Sequence, residues 1–333
     1  MYPRRMPRPE EIAFRAGEVS LAGELLLPDE EPPTDRRGRY PWVLLLPSWL
    51  PRDRDGVLDD RGHPAWFASG PMAPSRPGLL RRLANALADV GVASFRYDVR
   101  GCGASGGDWP ASDLFTRIDD ARDALGAMRA RPDLDLARTG IVGHGEGVTI
   151  ALSVAVGDPA VGALTLIGAP ARSGRDVLRR AAASREATGT DRQHALVAAL
   201  DRASEELIER ADRHEPALPL RLRGLDEPVT LALAGWRQAF ATPPMALATM
   251  LHRSVSLVHG ADDVWAHTDE GHLLAATLAD AGNDPPMSVL PGIGHDLAGA
   301  ADAAIAELSR ELAARLEPRP LPPVLVALEE MEP

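Results

Sequence analysis

Residues 141–152 read IVGHGEGVTIAL. An apolar run ends in Gly-His-Gly-Glu-Gly, and small and apolar residues at helical spacing follow at once. This strand, turn and helix form the frame of Gly-x-Ser-x-Gly, in which a serine on a sharp turn presents its hydroxyl at the top of a sheet. Here the central place is Gly145, which carries no side chain.

Outward from this turn the chain alternates between strand and helix patterns. Upstream, EIAFRAGEVSLAGELLL (11–27) predicts two strands joined at a glycine, and WVLLLP (42–47) predicts a strand buried on both faces. LLRRLANALADV (79–90) has a helical face, VASFRYD (92–98) is a strand, and 113–129 is a helix. Downstream come a helix at 146–156 and a strand at GALTLIGAP (162–170). VSLVHG (255–260), a helix over 268–281, MSVLPG (287–292) and a helix over 301–316 complete the series. Such alternation implies an α/β fold with a mostly parallel, eight-stranded sheet and helices on both faces.

The rhythm breaks at 171–250, where no strand-like run is expected. Leu196, Leu200, Ala203, Leu207 and Ala211 mark one helical face there. The expected organisation is a core of residues 11–170 and 251–316, a helical lid inserted over 171–250, and a C-terminal tail over 317–333.

Bulk composition narrows the function. The 333 residues are 45% hydrophobic, enough for a large core. A net charge of −12 argues against a surface that tracks nucleic-acid phosphates. No apolar run is long enough to span a membrane. A single cysteine, Cys102, excludes an internal disulfide framework, and the start MYPRRMPRPEE lacks an apolar signal segment; a cytoplasmic location is expected. His267 and His272 are five apart, which suits no shared helical face, and Asp53-Arg54-Asp55-Gly56 lacks the glutamate of a calcium loop, position 64 being proline. No metal or cofactor is expected. The sequence sets no oligomeric state.

Three positions at strand ends stand in a telling order. Gly145 lies in the turn, Asp263 in LVHGADDVW just after a strand, and His295 in LPGIGHDL just after the last strand. Functional groups of open parallel sheets gather at these carboxyl ends. In this order the chain resembles the α/β-hydrolase superfamily, in its serine aminopeptidase-like and acyl-esterase-like branch, over about residues 11–316. RYDVRGCGASGG (96–107) resembles that family's Asp-x-Arg-Gly-x-Gly-x-Ser turn, and LPRDRDG (50–56) a loop that follows the oxyanion strand in some members. The resemblance implies Asp263 as the triad acid, with Asp262 as its rival, and His295 as the base. It implies an oxyanion hole from the N–H of Glu146 and one from Ser48 or Trp49.

Two departures stand out. The nucleophile place is glycine, and the oxyanion loop reads PSWLP (47–51), with bulky Trp49 where small residues are usual. Glycine accepts the turn's left-handed backbone freely, releasing about 1–3 kcal/mol of strain. A His295–Asp263 pair remains, able to take a proton from water or from a substrate carbon acid. Ser48, Cys102 and Glu146 are the candidate stand-ins near the vacant place. For each the bland alternative is plain: a turn serine, a buried thiol, and an acid at a helix N-terminus. Trp49, Trp265 and Trp236 are candidate pocket walls, with Trp66 also in a loop; Trp236, four before Phe240, also fits simple packing.

Three readings follow. The first is a diverged enzyme using His295 and Asp263 for non-covalent elimination, isomerisation, cyclisation or water-activating hydrolysis of an apolar acyl or polyketide-like small molecule. The second is a Ser-His-Asp hydrolase of esters, thioesters or peptides, disabled by replacement of serine at 145. The third is a non-catalytic binder.

Overall fold

A computed structural model describes residues 7–32, 38–59, 78–183, 191–221, 228–238, 241–297, 299–323 and 325–326. Strands β1 (Arg8–Ala16) and β2 (Val19–Leu27) form an antiparallel hairpin closed at Gly17. Strands β3 (Tyr40–Leu46), β4 (Ala93–Tyr97), β5 (Leu134–His144), β6 (Val161–Ile167), β9 (Ser254–Gly260) and β10 (Met287–Leu290) lie parallel to one another. The strand order is β1-β2-β4-β3-β5-β6-β9-β10, with β2 antiparallel to β4. The eight-stranded, mostly parallel sheet expected from the sequence is present.

Strand β3 shows how the sequence builds the two layers. All seven of its residues are buried, and the side-chain period of two divides them between the faces. Trp42, Leu44 and Leu46 join the cluster under helices α2 (Leu114–Arg129), α3 (Glu146–Gly157) and α7 (Thr268–Asp280). Val43 and Leu45 join the opposite cluster, under α1 (Leu79–Ala88) and α8 (Asp302–Arg315). Each buried leucine contributes roughly 1.5–3 kcal/mol of apolar transfer. The sheet is thus covered on both sides, and only its ends remain open for chemistry.

The segment after β6 holds α4 (Gly174–Ala183), α5 (Asp191–Asp212) and α6 (Pro244–Ala248). It also holds a hairpin that the sequence reading lacked, β7 (Ala217–Leu220) with β8 (Val229–Ala232). Each of its strands is four residues long, too short to show alternation, and Pro219 sits inside the first. Leu200, Leu207 and Ala211, from the expected face of α5, pack on Leu218 and Leu220 of the hairpin and on Leu233 and Trp236. The side chain of Leu196 lies outside the described residues, as do Trp66 and Phe240.

The tail begins docked on this chain. Arg319 N–H donates to Ala137 O at 2.9 Å, and Leu325 is buried. No helix among the described residues is long and apolar enough to cross a membrane.

Candidate active site

The parallel strands deliver five positions to one edge of the sheet. Ser48 follows β3, Gly145 follows β5, Gly168 follows β6, Asp263 follows β9, and His295 follows β10.

Asp263 and His295 meet directly, Asp263 Oδ2 lying 2.7 Å from His295 Nδ1. The other carboxylate oxygen, Oδ1, accepts the N–H groups of Trp265 (2.8 Å) and Ala266 (2.9 Å). Both oxygens are therefore held by partners, and the acid cannot swing away. Burial alone would raise the Asp263 carboxyl, but the charge and hydrogen bond of His295, with the two N–H groups, outweigh it and hold the pKa below the ordinary range. For His295 burial works to lower the pKa, and the Asp263 charge and hydrogen bond outweigh it, leaving the imidazole above its ordinary value. For Asp262, the rival acid, the contact to this loop is from the backbone, its N–H donating to Ile293 O at 2.9 Å, and it is Asp263 whose carboxylate meets His295.

With Nδ1–H on Asp263, His295 Nε2 is the acceptor, and Ser48 Oγ lies 3.2 Å from it. Ser48 is 3% exposed, so the hydroxyl has no bulk water to turn to. Gly145 adopts φ +56, ψ −116, a left-handed conformation that side chains resist. A Cβ built there would overlap Ser48 Oγ and stand 2.9 Å from His295 Nε2. The serine of β3 thus fills the space that the glycine of β5 leaves. Cys102 is buried in the turn after β4; of the two, Ser48 is the one with a hydrogen-bond contact to His295.

The N–H of Glu146 opens α3 at this place, as does the positive end of the helix dipole. The Glu146 side chain turns aside to pair with Arg117, whose remaining donors reach Ser112 O (3.2 Å) and Asp113 O (3.3 Å). Burial raises the Glu146 pKa and Arg117 opposes it.

Beyond Gly145 lies a cavity of about 140 Å³ lined by His295, Glu146, Arg117, Arg172 and four tryptophans. Trp49 is its hub. It meets Trp236 edge-on at 5.0 Å and Trp265 edge-on at 5.6 Å between ring centroids. The bulky residue in the oxyanion loop is therefore a cavity wall that ties the core to the cluster beneath α5. Trp109 completes the set, a wall the sequence reading did not name.

Three further residues escape a sequence reading. Gly168, φ +55, faces the pair so closely that a Cβ would stand 3.0 Å from His295 Cε1 and 3.2 Å from Asp263 Oδ2. His144 packs its ring 4.7 Å from that of His295, with Nε2 3.0 Å from the His295 carbonyl oxygen. Burial and the neighbouring imidazole push the His144 pKa down to about 3, so it is a neutral donor. Leu50 has φ +79 while buried, a left-handed backbone costing a leucine about 1–2 kcal/mol. Its signal in the sequence is faint: a leucine before Pro51, in a turn beside the site. Among the described residues no group of three or more His, Cys, Asp or Glu side chains is placed to hold a metal ion.

No protein-family model matches this chain, and no curated protein matches its sequence. Solved structures do. DcsB, solved with a substrate analogue, is 15% identical with a TM-score of 0.63, over 93% of this chain and 100% of that one. Est1E from Butyrivibrio proteoclasticus, solved with ferulic acid bound, is 14% identical with a TM-score of 0.60, over 91% and 98%. The alpha/beta hydrolase GrgF from Penicillium sp. sh18 is 15% identical with a TM-score of 0.59, over 94% and 99%.

Proposed function

We propose, from the α/β-hydrolase fold that this chain has, that it is an acyl-transfer enzyme whose nucleophile is Ser48, acting with His295 and Asp263. The observation that carries this reading is the Ser48 Oγ to His295 Nε2 contact of 3.2 Å, in the space where a side chain at Gly145 would lie. On this reading His295 acts on a serine hydroxyl, where the sequence alone suggested non-covalent proton chemistry at an empty nucleophile place.

The steps follow from the geometry. Ser48 Oγ attacks the carbonyl carbon of an ester or thioester while His295 Nε2 takes its proton. Asp263 keeps Nδ1–H in place and stabilises the imidazolium that forms. The carbonyl oxygen becomes an oxyanion facing the N–H of Glu146 and the positive end of α3. Collapse breaks the bond to the leaving group, which receives the proton from His295. Water then attacks the Ser48 ester with His295 again as base, releasing the acid and restoring the serine.

The cavity favours an apolar acyl group. Its volume, about 140 Å³, matches cavities that accept a benzene ring, and tryptophan edges and faces line it. Est1E, which shares the fold, binds the aromatic acid ferulate.

The overlap at Gly145 also bears on the reading in which a serine hydrolase was disabled there. A side chain at 145 would press on Ser48 Oγ and Cβ, so a serine there needs the Ser48 hydroxyl to turn aside.

The deciding experiment is reaction with an alkyl fluorophosphonate followed by peptide mass mapping. The expected adduct is on Ser48 and is absent from Ser48→Ala and His295→Ala. Turnover that needs His295 without any adduct supports the non-covalent reading instead. A protein with neither adduct nor turnover supports the binder.

A further inference from the structure

The serine's placement requires something that an ordinary nucleophile turn obtains from its strained central residue. Ser48 lies two residues past the end of β3, in a stretch with no glycine. Left-handed backbone is nonetheless present, at Leu50, φ +79 and 6% exposed. Pro51 follows it and fixes its own φ. Arg52 then folds back over the turn: Nε donates to Trp49 O at 3.3 Å and Nη1 to Gly56 O at 2.6 Å. Its third arm leaves the loop altogether. Nη2 reaches Asp296 Oδ1 at 3.1 Å, on the residue next to His295. Arg52 is 4% exposed, so this ion pair is shielded on its cationic side. His144 braces the same loop through the His295 carbonyl and lies 3.8 Å from Asp296 Oδ1.

We infer that Ser48–Arg52 is a second nucleophile turn, strained at Leu50, and that Arg52 and Asp296 are positioning residues forming a clasp between the serine loop and the histidine loop. The inference rests on the reading of Ser48 given above for its catalytic consequence, but the clasp itself is a statement about geometry. A planar guanidinium suits the task because its donors are fixed in one plane and point in three directions at once. Neither residue touches the reacting atoms.

The charged and titratable groups facing His295 are Asp263, Asp296, Arg52, His144 and His259. Arg52 depresses the His295 pKa and Asp296 raises it, which gives the clasp a signature beyond packing.

The test uses Arg52→Met, Asp296→Asn and Leu50→Gly in the full chain, with three readouts: the crystal structure, the His295 titration by NMR, and kcat and KM on an aryl ester. Arg52→Met is expected to carry Ser48 Oγ beyond hydrogen-bond reach of His295 and to move the titration up. Asp296→Asn is expected to open the same gap and move the titration down. Leu50→Gly is expected to loosen Ser48 while leaving the titration unchanged. Displacement on this scale lowers kcat by about 10²-fold, with KM within about twofold. Arg52→Lys, which keeps the charge but not the fork, should restore the titration without restoring kcat. A folded Arg52→Met protein that keeps the Ser48 to His295 contact overturns the clasp. Because that arm reads geometry, it decides the clasp even if no adduct forms on Ser48; loss of the adduct in the unmutated protein is the failure of the nucleophile reading alone.

Discussion

Ser48 Oγ and the missing side chain of Gly145 claim one volume, beside His295 Nε2. The two positions come from adjacent parallel strands, with Leu46 of β3 paired to Gly143 of β5. A hydroxyl supplied from either strand end would reach the same imidazole, and both cannot be present without displacement.

That exclusivity makes a reversal experiment informative. Gly145→Ser alone should lower ester turnover at least about tenfold, through overlap with Ser48 and the strain of φ +56. Gly145→Ser combined with Ser48→Gly should regain activity and move the fluorophosphonate adduct to residue 145. An adduct still absent from the double variant counts against a shared place.

The His295 and Asp263 pair sets the pH dependence. The base must be neutral, and its pKa in the folded protein is raised above 6.5. kcat/KM should therefore fall as pH drops through a midpoint above the ordinary imidazole value. Asp263→Asn removes the charge responsible, so the midpoint should move down while turnover falls about 10³–10⁴-fold. A midpoint that does not move in this variant would mean the titrating group is another residue.

Gly168 is a direct gauge of how tightly the pair is packed. Gly168→Ala places a methyl 3.0 Å from His295 Cε1 at a backbone φ of +55. The expected cost is about 1–3 kcal/mol in stability and about 10²-fold in kcat. Denaturant titration and steady-state kinetics measure the two separately.

The tryptophan hub should couple stability to acyl selectivity. Trp236 is 8% exposed and packs on Trp49, so Trp236→Ala should destabilise by about 3–5 kcal/mol. KM should rise for aryl and long-chain esters and change little for acetate esters. Equal effects on both classes would remove the cavity from substrate selection.

The Arg117 and Glu146 pair predicts a non-additive double substitution. Arg117→Met leaves a partly buried carboxylate without its partner, so it should cost up to about 3 kcal/mol. Arg117→Met with Glu146→Gln should cost clearly less than the sum of the single changes. Chemical denaturation of the four proteins closes the cycle.

The strands of the sheet and the strand-end places of Asp263 and His295 were legible because each is a local signal, whereas the strand order came only from the structure. Short apolar runs, glycines at their ends and polar residues just beyond are all neighbours in the chain. Ser48 was visible only as one of several stand-ins, because its partner lies 247 residues away and the contact depends on how the loops after β3 and β10 meet at the edge of the sheet. Gly168 carries no mark in GALTLIGAP that separates a required glycine from an ordinary one. Trp49 read both as a bulky departure in the oxyanion loop and as a candidate pocket wall, and its contacts with Trp236 and Trp265 are visible only in the structure. The hairpin of β7 and β8 was missed for brevity, its strands offering two alternations each.

Adjacency of β3 and β5 has a consequence for descent. The acid and the base sit on other strands and need not change when the hydroxyl changes its bearer. Any lineage passing between a serine at 145 and a serine at 48 must cross one of two intermediates, a crowded form with both hydroxyls or a silent form with neither. The silent form is comfortable to fold and has no hydroxyl beside the histidine; the crowded form keeps hydroxyls there but is strained and slowed by their overlap. On the Ser48 reading, the order of any such exchange is constrained by one shared pocket of space.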